Sequence, residues 1–257
     1  MAELGEGVTV GPHAVIEAGA VVGDGTSVLA NAIVTGHATI GAGCQIHYGA
    51  VIGHEPQDLA FEGAESRVIL GDGCVVREYA TVHRATREGG ATVVGENCLL
   101  MVGSHVAHDC QIGRNVVICN SALVAGHAIV GDRAFLSGNA VVHQFSRVGR
   151  LVMLSGISGI GRDVGPFLTV ACRSQVAGLN TVGMRRAGLS GTTRRLVRDA
   201  YRMLFKAETI DEGLAQIRER IEPDPAVKEI LDFYSISGRG FARPATHRWL
   251  EFAAGAL

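Results

Sequence analysis

Four histidines in the middle of the chain could carry chemistry if the fold brings them together. They are His105, His108, His127 and His143, and Asp109 directly follows His108. An imidazole changes its charge near neutral pH, so it can move protons, and it also binds zinc. A single surface histidine carries little information, whereas four on one edge would favour a functional site. Whether they share an edge depends on the elements that position them.

Aliphatic residues recur every six positions over most of the chain as far as Ile160. The longest run extends from Val94 to Ile160 with an uninterrupted spacing of six, and an earlier run extends from Leu4 to Ile52. A short run at Leu70, Val76 and Val82 lies between them. Neither an α-helix nor an ordinary amphipathic strand repeats at six. A fixed short period is typical of stacked units, and three hexapeptides would make one coil of a parallel β-helix.

The pattern inside each hexapeptide supports this fold. The residue four positions after the aliphatic one is small, and glycine often follows the aliphatic residue directly, as at Gly113, Gly131 and Gly149. We expect the aliphatic side chain to point into a triangular prism, and the glycines to be turn residues with unusual backbone angles. The sequence predicts a mainly β protein, with a left-handed parallel β-helix over residues 1–184 and a small α-helical domain over residues 185–257.

The hexapeptide period is interrupted at residues 53–69 and 84–93. Interruptions in a solenoid become loops, often on its binding face, although a tolerated surface insertion is the alternative. Beyond residue 184 the apolar residues have helical spacing. Thr209 and Glu212 form a capping-box pattern, and a further helix is expected over residues 225–236.

The two predicted domains differ in charge. The formal net charge of -2 implies neither a nucleic-acid nor a membrane partner by itself. Residues 1–184 carry 10 basic and 15 acidic side chains, whereas residues 185–257 carry 13 and 10. Seven of those basic residues lie between Arg185 and Lys206, against Asp199 alone. Such a patch would attract an acidic partner, and a solvated helix face is the alternative.

The cysteines and the N-terminus bear on the compartment. None of the six cysteines belongs to a C-x-x-C pair, and most occupy the small inward position of a hexapeptide. The N-terminus shows no signal-like segment, and no apolar run reaches the length of a membrane span. The sequence therefore predicts a cytoplasmic protein with reduced cysteines and no stable membrane insertion.

The coil length predicts where the histidines lie around the prism. One coil of three hexapeptides takes about 18 residues, and subtracting whole coils superposes the histidines. His127 falls at position 109 and His143 at position 107, so all four occupy one short window on three neighbouring coils. General-base catalysis by His108 fits better than zinc binding, because the H-x-x-x-x-H ligand pair of the hexapeptide carbonic anhydrases is absent. We therefore predict no metal. A non-catalytic β-helix scaffold stays open as an alternative.

Several motifs together resemble one enzyme family. They are QDL (57–59), SHVAHDCQIG (104–113), AGH (125–127), VHQF (142–145) and GLNTVGMRRAGL (178–189). With the solenoid and the helical C-terminal region, the chain resembles the UDP-N-acetylglucosamine O-acyltransferases of lipid A biosynthesis over nearly its whole length. In that family, the first step of the pathway passes a 3-hydroxyacyl group from acyl carrier protein to the sugar 3-hydroxyl.

The resemblance implies roles for individual residues of this chain. His108 would be the general base, Asp109 would orient it, and the backbone N–H of Gly126 would stabilise the tetrahedral oxyanion. Gly156 matches the position that bounds the acyl chain, and a glycine there implies a longer 3-hydroxyacyl group. The positions that would hold the sugar and nearby groups are Gln57, Asp58, His105, His127 and His143, and those that would bind the nucleotide are Gln144, Asn180 and Arg186.

The resemblance also implies an assembly and exposes three departures. It implies a homotrimer with active sites between neighbouring solenoids, an acidic acyl carrier protein as partner, and no cofactor beyond the carrier-protein thioester. Ala60 stands where a lysine is expected, and Val182 and Ala187 stand where a glutamate and a second arginine are common. These departures leave a different UDP-sugar open, such as a 3-amino analogue, which would make the protein an N-acyltransferase.

Overall fold

The structure is a computed structural model that describes residues 1–236 and 238–244. Twenty-four short strands wind around a prism with three faces, and each strand pairs in parallel with the strand one coil away. The first sheet contains β1 (Glu3–Leu4), β4 (Val21–Val22), β7 (Ala38–Ile40), β10 (Arg67–Leu70), β13 (Ala91–Val94), β16 (Gln111–Ile112), β19 (Ile129–Val130) and β22 (Arg147–Val148).

The other two faces have the same construction. The second sheet contains β2 (Thr9–Val10), β5 (Ser27–Val28), β8 (Gln45–Ile46), β11 (Val75–Val76), β14 (Leu99–Leu100), β17 (Val117–Ile118), β20 (Phe135–Leu136) and β23 (Met153–Leu154). The third sheet contains β3 (Val15–Ile16), β6 (Ile33–Val34), β9 (Val51–His54), β12 (Thr81–His83), β15 (His105–Val106), β18 (Leu123–Val124), β21 (Val141–Val142) and β24 (Gly159–Ile160). The predicted parallel β-helix is confirmed.

The hexapeptide pattern fills the prism as predicted. From Val22 to Ile160, the aliphatic residues at the inward strand position are at most 3% exposed, whereas Leu4 and Val10 of the first coil are exposed. The small residues before the buried aliphatic ones, such as Ala122 and Ala128, are fully buried beside them. The core is therefore a column of stacked aliphatic layers, and each added coil extends it in one direction.

Several glycines that directly follow the aliphatic residues are needed for close packing between coils and not, as predicted, for unusual backbone angles. Gly131 is typical, because its φ angle is not positive. A Cβ atom on Gly131 would lie 2.6 Å from the backbone nitrogen of Arg150 and 2.9 Å from the carbonyl carbon of Gly149. The prediction of unusual backbone angles at these glycines is wrong. At Gly131, and likewise at Gly95 and Gly149, glycine is required because the backbone of the next coil passes too close for a side chain.

The left-handed backbone angles lie two residues further along each turn. Asp109, His127 and Phe145 occupy this position on three successive coils, with φ angles of 59°, 59° and 61°. Residues other than glycine rarely adopt such angles, so each costs some backbone strain. All three lie where the third sheet turns into the first. We call the turns 107–110, 125–128 and 143–146 the histidine corner.

Both interruptions of the period leave the prism on the side of the histidine corner. One loop spans residues 55–66, between β9 and β10, and the other spans residues 84–90, between β12 and β13. Arg84 joins them, since its Nη1 donates to the Ala64 carbonyl at 2.9 Å and its guanidinium lies over the Phe61 ring. The two insertions thus support one another beside this corner.

The C-terminal part covers the end of the solenoid. Strands β25 (Leu168–Ala171) and β26 (Gln175–Leu179) extend the second sheet as an antiparallel pair. The described residues then form four helices, which are α1 (Thr181–Arg186), α2 (Gly191–Lys206), α3 (Ile210–Arg220) and α4 (Pro225–Tyr234). Thr209 caps α3 as its sequence pattern predicts, because its Oγ1 accepts from the Glu212 N–H at 3.1 Å. Within the described ranges, no helix combines the length and the apolar character needed to cross a bilayer.

The domain division at residue 184 stays a prediction. The last regular coil strand ends at Ile160, and α1 begins at Thr181, ahead of that boundary. Part of the predicted helical domain, residues 245–257, lies outside the described residues. Buried Tyr201 of α2 anchors the helices on the solenoid by donating to the Pro166 carbonyl at 2.7 Å.

The close approach at Gly131 predicts a position-specific loss of stability. Gly131→Ala should lower the free energy of unfolding by about 1–3 kcal/mol, because its methyl group would press on backbone that cannot move aside. Gly161→Ala is the matched control, since Gly161 also follows an inward aliphatic residue but has no atom within 4 Å of a Cβ. Denaturant titration of both variants measures the difference, and equal stabilities would contradict this packing argument.

Candidate active site

The histidine corner brings the predicted histidines together. His108 and His127 lie on neighbouring coils, with their ring centroids 5.1 Å apart and their planes nearly perpendicular. His105 lies on β15, just ahead of the corner, and His143 directly follows β21 on the next coil. The structure therefore places all four on three successive coils of one edge, as the superposition of coils predicts.

Asp109 fixes the imidazole of His108. The distance from His108 Nδ1 to Asp109 Oδ2 is 2.9 Å. The same oxygen accepts from the backbone N–H of Thr86 at 3.0 Å and from its hydroxyl at 2.7 Å. The Asp109 backbone N–H in turn donates to Thr92 Oγ1 at 2.7 Å. This network holds a proton on Nδ1 and leaves Nε2 as the acceptor that can take another.

The carboxyl of Asp109 is kept ionised in spite of its burial. Its side chain is only 2% exposed, and burial by itself raises the pKa of a carboxyl group. Hydrogen bonds from Thr86 and His108, together with the nearby His127, outweigh that effect and bring the pKa of Asp109 below its ordinary value. The pair can therefore stabilise a positive charge on His108 when that ring takes up a proton.

Gly126 forms the surface against which His108 lies. A Cβ atom at residue 126 would stand 2.4 Å from His108 Cε1 and 2.6 Å from its Nε2, so any side chain would displace the ring. The Gly126 N–H donates to no acceptor within the part of the chain that the structure describes. An unengaged backbone donor therefore lies beside the free nitrogen of His108, and such a donor can stabilise a developing oxyanion.

A second row of histidines continues along the same edge. His105 Nδ1 is 2.7 Å from the Thr81 hydroxyl, and its ring centroid is 4.8 Å from that of His83. His83 is buried, which together with the charges of neighbouring histidines lowers its pKa to about 4. Burial and the charge of His108 also lower the pKa of His105. Both rings are therefore neutral at neutral pH.

Sequence reasoning missed three residues of this site. His83 escapes the superposition because the 84–90 insertion shifts its register, although the pairing of Thr81 with His105 places it directly beside the site. Thr86 lies inside that insertion, where no period could locate it. Phe145 had a usable signal, because it stands one predicted coil after His127. Its ring stacks on His127 with centroids 4.6 Å apart.

Other predicted residues lie around the corner or away from it. Gln57 and Asp58 are exposed in the 55–66 loop, where Asp58 Oδ1 accepts from the Ala60 N–H at 2.9 Å. Gln144 is exposed next to His143, and the Nδ1 atom of His143 lies 3.2 Å from the Gln144 carbonyl oxygen. Gly156 is exposed in the turn between β23 and β24, at a different corner.

Asn180 and Arg186 belong to a separate groove between α1 and the second sheet. This α1 groove has a volume of about 630 Å³, and Phe135, Leu151 and Leu179 are among its apolar lining residues. The Asn180 amide is engaged at both ends, because Oδ1 accepts from the Gly183 N–H and Nδ2 donates to the Leu151 carbonyl, each at 2.8 Å. Within one chain, Asn180 and Arg186 therefore lie at a different corner of the prism from the predicted histidines, whereas Gln144, the third predicted nucleotide residue, belongs to the histidine corner.

The same histidine corner also has the composition of a metal site. His108, Asp109 and His127 offer ligand atoms that lie within 4.8 Å of one another. Two imidazoles and a carboxylate suit zinc and similar divalent ions. In the structure, however, His108 and Asp109 are joined directly by a hydrogen bond, which is the arrangement of a base and its orienting carboxylate.

The two hydrogen bonds from Thr86 to Asp109 predict that a change at residue 86 alters the pKa of the Asp109 carboxyl. Thr86→Val should raise the pKa of that carboxyl, because the variant loses the hydroxyl donor but keeps its shape and its backbone N–H. Thr86→Ser, which keeps the hydroxyl, is the control and should titrate like the parent. Carbon-detected NMR of the carboxyl group measures both. Equal titration of the parent and the Val variant would show that the hydroxyl does not control this charge.

The chain is similar to known proteins in both sequence and structure. Residues 163–242 match the family model for Udp N-acetylglucosamine O-acyltransferase, Domain 2, and residues 19–54 and 91–126 match that for bacterial transferase hexapeptide repeats. The acyl-[acyl-carrier-protein]--UDP-N-acetylglucosamine O-acyltransferase of Sinorhizobium fredii is 40% identical over 255 residues, covering 91% of this chain and 94% of the relative. That of Anaeromyxobacter dehalogenans strain 2CP-C is 40% identical over 191 residues, covering 73% and 74%.

Solved structures agree with these relatives. The UDP-N-acetylglucosamine acyltransferase of Bacteroides fragilis 9343 has a TM-score of 0.90 at 37% identity and covers 93% of this chain and 95% of its own. That of Francisella novicida has a TM-score of 0.92 at 32% identity and covers 100% and 95%. On this sequence and structural similarity, the chain belongs to the UDP-N-acetylglucosamine O-acyltransferase family.

Proposed function

We propose that this protein transfers a 3-hydroxyacyl group from an acyl carrier protein to the 3-hydroxyl of UDP-N-acetylglucosamine, the first step of lipid A biosynthesis. The observation that carries the proposal is the His108–Asp109 pair lying against the unengaged N–H of Gly126. The relatives support the substrates, because their names contain both the carrier protein and the UDP-sugar.

In the proposed reaction, His108 acts as the general base. Its Nε2 takes the proton of the sugar hydroxyl while the oxygen attacks the thioester carbonyl carbon. The carbonyl oxygen becomes an oxyanion that the Gly126 N–H stabilises. The intermediate then collapses, the carbon–sulfur bond breaks, and the imidazolium returns its proton to the departing thiolate. The charge of Asp109 stabilises the imidazolium between the two proton transfers.

Direct transfer suits this site better than a covalent acyl-enzyme. Cys110 is next to Asp109 in the sequence, but it is fully buried and points into the core. Burial raises the pKa of its thiol to about 12, so it is a poor nucleophile at neutral pH. The thioester is already an activated acyl donor, and we therefore propose that the reaction needs no cofactor.

The other predicted site residues are proposed to bind the sugar and the nucleotide. His105, His127 and His143 line the approach to His108, and the 55–66 loop carries Gln57 and Asp58 on the same side of the prism. We propose that these five residues hold the sugar and nearby groups, and that Gln144, Asn180 and Arg186 bind the nucleotide. Ala60 and Val182 are exposed, so the groups missing at those positions leave open space rather than a repacked core.

The basic segment supports an acidic carrier protein as partner. Arg185, Arg186, Arg195 and Lys206 are exposed. Asp199 lies 3.5 Å from both Arg198 and Arg202, so one carboxylate compensates only part of the positive charge along α2. We further propose a cytoplasmic location, where the carrier protein would be met. The six cysteines are free and five of them are buried, which suits a reducing compartment, and cell fractionation would check it.

A reconstituted assay tests the proposed function. Carrier proteins loaded with 3-hydroxyacyl chains of several lengths are mixed with UDP-N-acetylglucosamine, and the products are identified by mass spectrometry. We expect an O-acylated sugar, with longer chains preferred because Gly156 leaves its turn open. The KM for the carrier protein should rise with salt, since the docking segment is basic. A chelator should leave the rate unchanged.

The assay includes a matched pair of histidine variants. His108→Ala should lower kcat by about 10²–10⁴-fold through loss of the base, with unchanged folding. His13→Ala, at another corner of the prism, should keep the parental rate. An unaffected His108 variant would favour the scaffold alternative. A preference for the 3-amino analogue of the UDP-sugar would instead favour N-acyl transfer.

We propose a homotrimer because one chain separates the two parts of the predicted site. A neighbouring solenoid could bring its α1 groove, with Asn180 and Arg186, to the histidine corner. Co-expressed His108→Ala and Arg186→Ala chains should then regain part of the activity that each lacks alone, because a mixed assembly contains some intact sites. Sedimentation equilibrium should give three times 26.9 kDa. A monomer mass, or no complementation, would contradict the shared site.

A further inference from the structure

The α1 groove contains a second arginine that sequence comparison does not select. Arg133 lines the groove together with Arg186, although the two lie far apart in the sequence. Arg133 lies in the turn between β19 and β20, on the solenoid wall, whereas Arg186 lies at the end of α1 on the opposite wall. The groove thus has one guanidinium-bearing residue on each side.

The stacking of the coils fixes the height of Arg133 in the groove. Its φ angle of 57° puts it at the left-handed turn position, directly below Leu151 on the next coil and Phe167 on the one after. The Leu151 carbonyl accepts a hydrogen bond from the side-chain amide of Asn180. The backbone N–H of Asn180 donates to the Phe167 carbonyl at 2.7 Å. Arg133 is therefore about one coil spacing, roughly 5 Å, from the point where α1 is anchored.

The charges in this groove are not neutralised. Neither Arg133 nor Arg186 forms an ion pair within residues 1–236 and 238–244, and both are exposed. Two like charges that share a groove repel each other unless an anion lies between them. Asn180 already uses one donor and one acceptor of its amide within the chain, so it offers a ligand fewer polar contacts than the two arginines.

We infer that Arg133 binds the diphosphate of the nucleotide sugar and replaces the second arginine that is missing at Ala187. Guanidinium groups suit phosphate because they offer several donors in a fixed plane. Ala187 lines the same groove as Arg133. The positive charge that is missing at residue 187 and the one present at residue 133 would therefore act on the same ligand. The apolar lining residues Phe135, Leu151 and Leu179 are then available for the uracil ring. This inference rests on the proposed function, because it names the recognition of the proposed substrate.

Calorimetric titration of the full-length protein with UDP tests the inference. Arg133→Gln should weaken UDP binding about tenfold or more, through loss of a charge-assisted hydrogen bond. Its affinity for uridine, which lacks phosphate, should stay at the parental value. In the transfer assay, the same variant should raise the KM for the UDP-sugar and leave the KM for the carrier protein unchanged.

Two further variants sharpen this test. Arg114→Gln is the matched control, because Arg114 is also exposed in the turn one coil below, outside the groove, where its carbonyl accepts from the Arg133 N–H at 2.8 Å. It should bind UDP like the parent. Adding Ala187→Arg to Arg133→Gln should restore part of the lost affinity, since it returns a cation to the same groove.

The outcomes separate the inference from the proposed function. If the parent binds UDP and transfers acyl groups while Arg133→Gln binds UDP equally well, the role of Arg133 is overturned and the proposed function stands. Equal losses for UDP and uridine would also overturn it, because the effect would not depend on phosphate. A parent that binds no UDP at all would overturn both.

Discussion

The hydrogen-bond ladder between coils is the constraint on which the rest of this structure depends. Backbone N–H groups of each coil donate to the neighbouring coils at nearly regular intervals, so residues that are distant in sequence become neighbours at strand spacing. The site itself is part of this ladder. The His127 N–H donates to the His108 carbonyl, and the Phe145 N–H donates to the Gly126 carbonyl, each at 3.0 Å. The geometry of the histidine corner is therefore held by the backbone.

The ladder also explains why side chains of the candidate site occupy strained positions. At the histidine corner, the residues in the left-handed turn position do not belong to the hydrophobic core. Asp109, His127 and Phe145 take this position although glycine would adopt the same angles more easily. The strain is offset by the aliphatic column, whose members are almost completely buried. A solenoid can therefore place a row of reactive groups along one edge without weakening its core.

Sequence periodicity predicted the fold and the histidine edge because both follow directly from an unbroken count of six. It failed where the count is broken or where the cause is not local. His83 and Thr86 border or lie within an insertion, so their register beside His105 and Asp109 could not be counted. The requirement for Gly131 arises from the backbone of the next coil, which no single hexapeptide contains. Residues selected by motif, such as Asn180, stay predictions, and the motif gave no indication that this one lies on another corner.

The electrostatic asymmetry around His108 connects these features to chemistry. The ring has a buried, ionised carboxylate on its Nδ1 side, held by Thr86. Along the edge, His105 and His83 are kept neutral by burial, so they do not add positive charge that would oppose proton uptake. A base must be neutral before the reaction and stabilised as a cation during it. In the reaction proposed above, the carboxylate of Asp109 would stabilise the proton that His108 takes up, and the neutral rings of His105 and His83 would not oppose it.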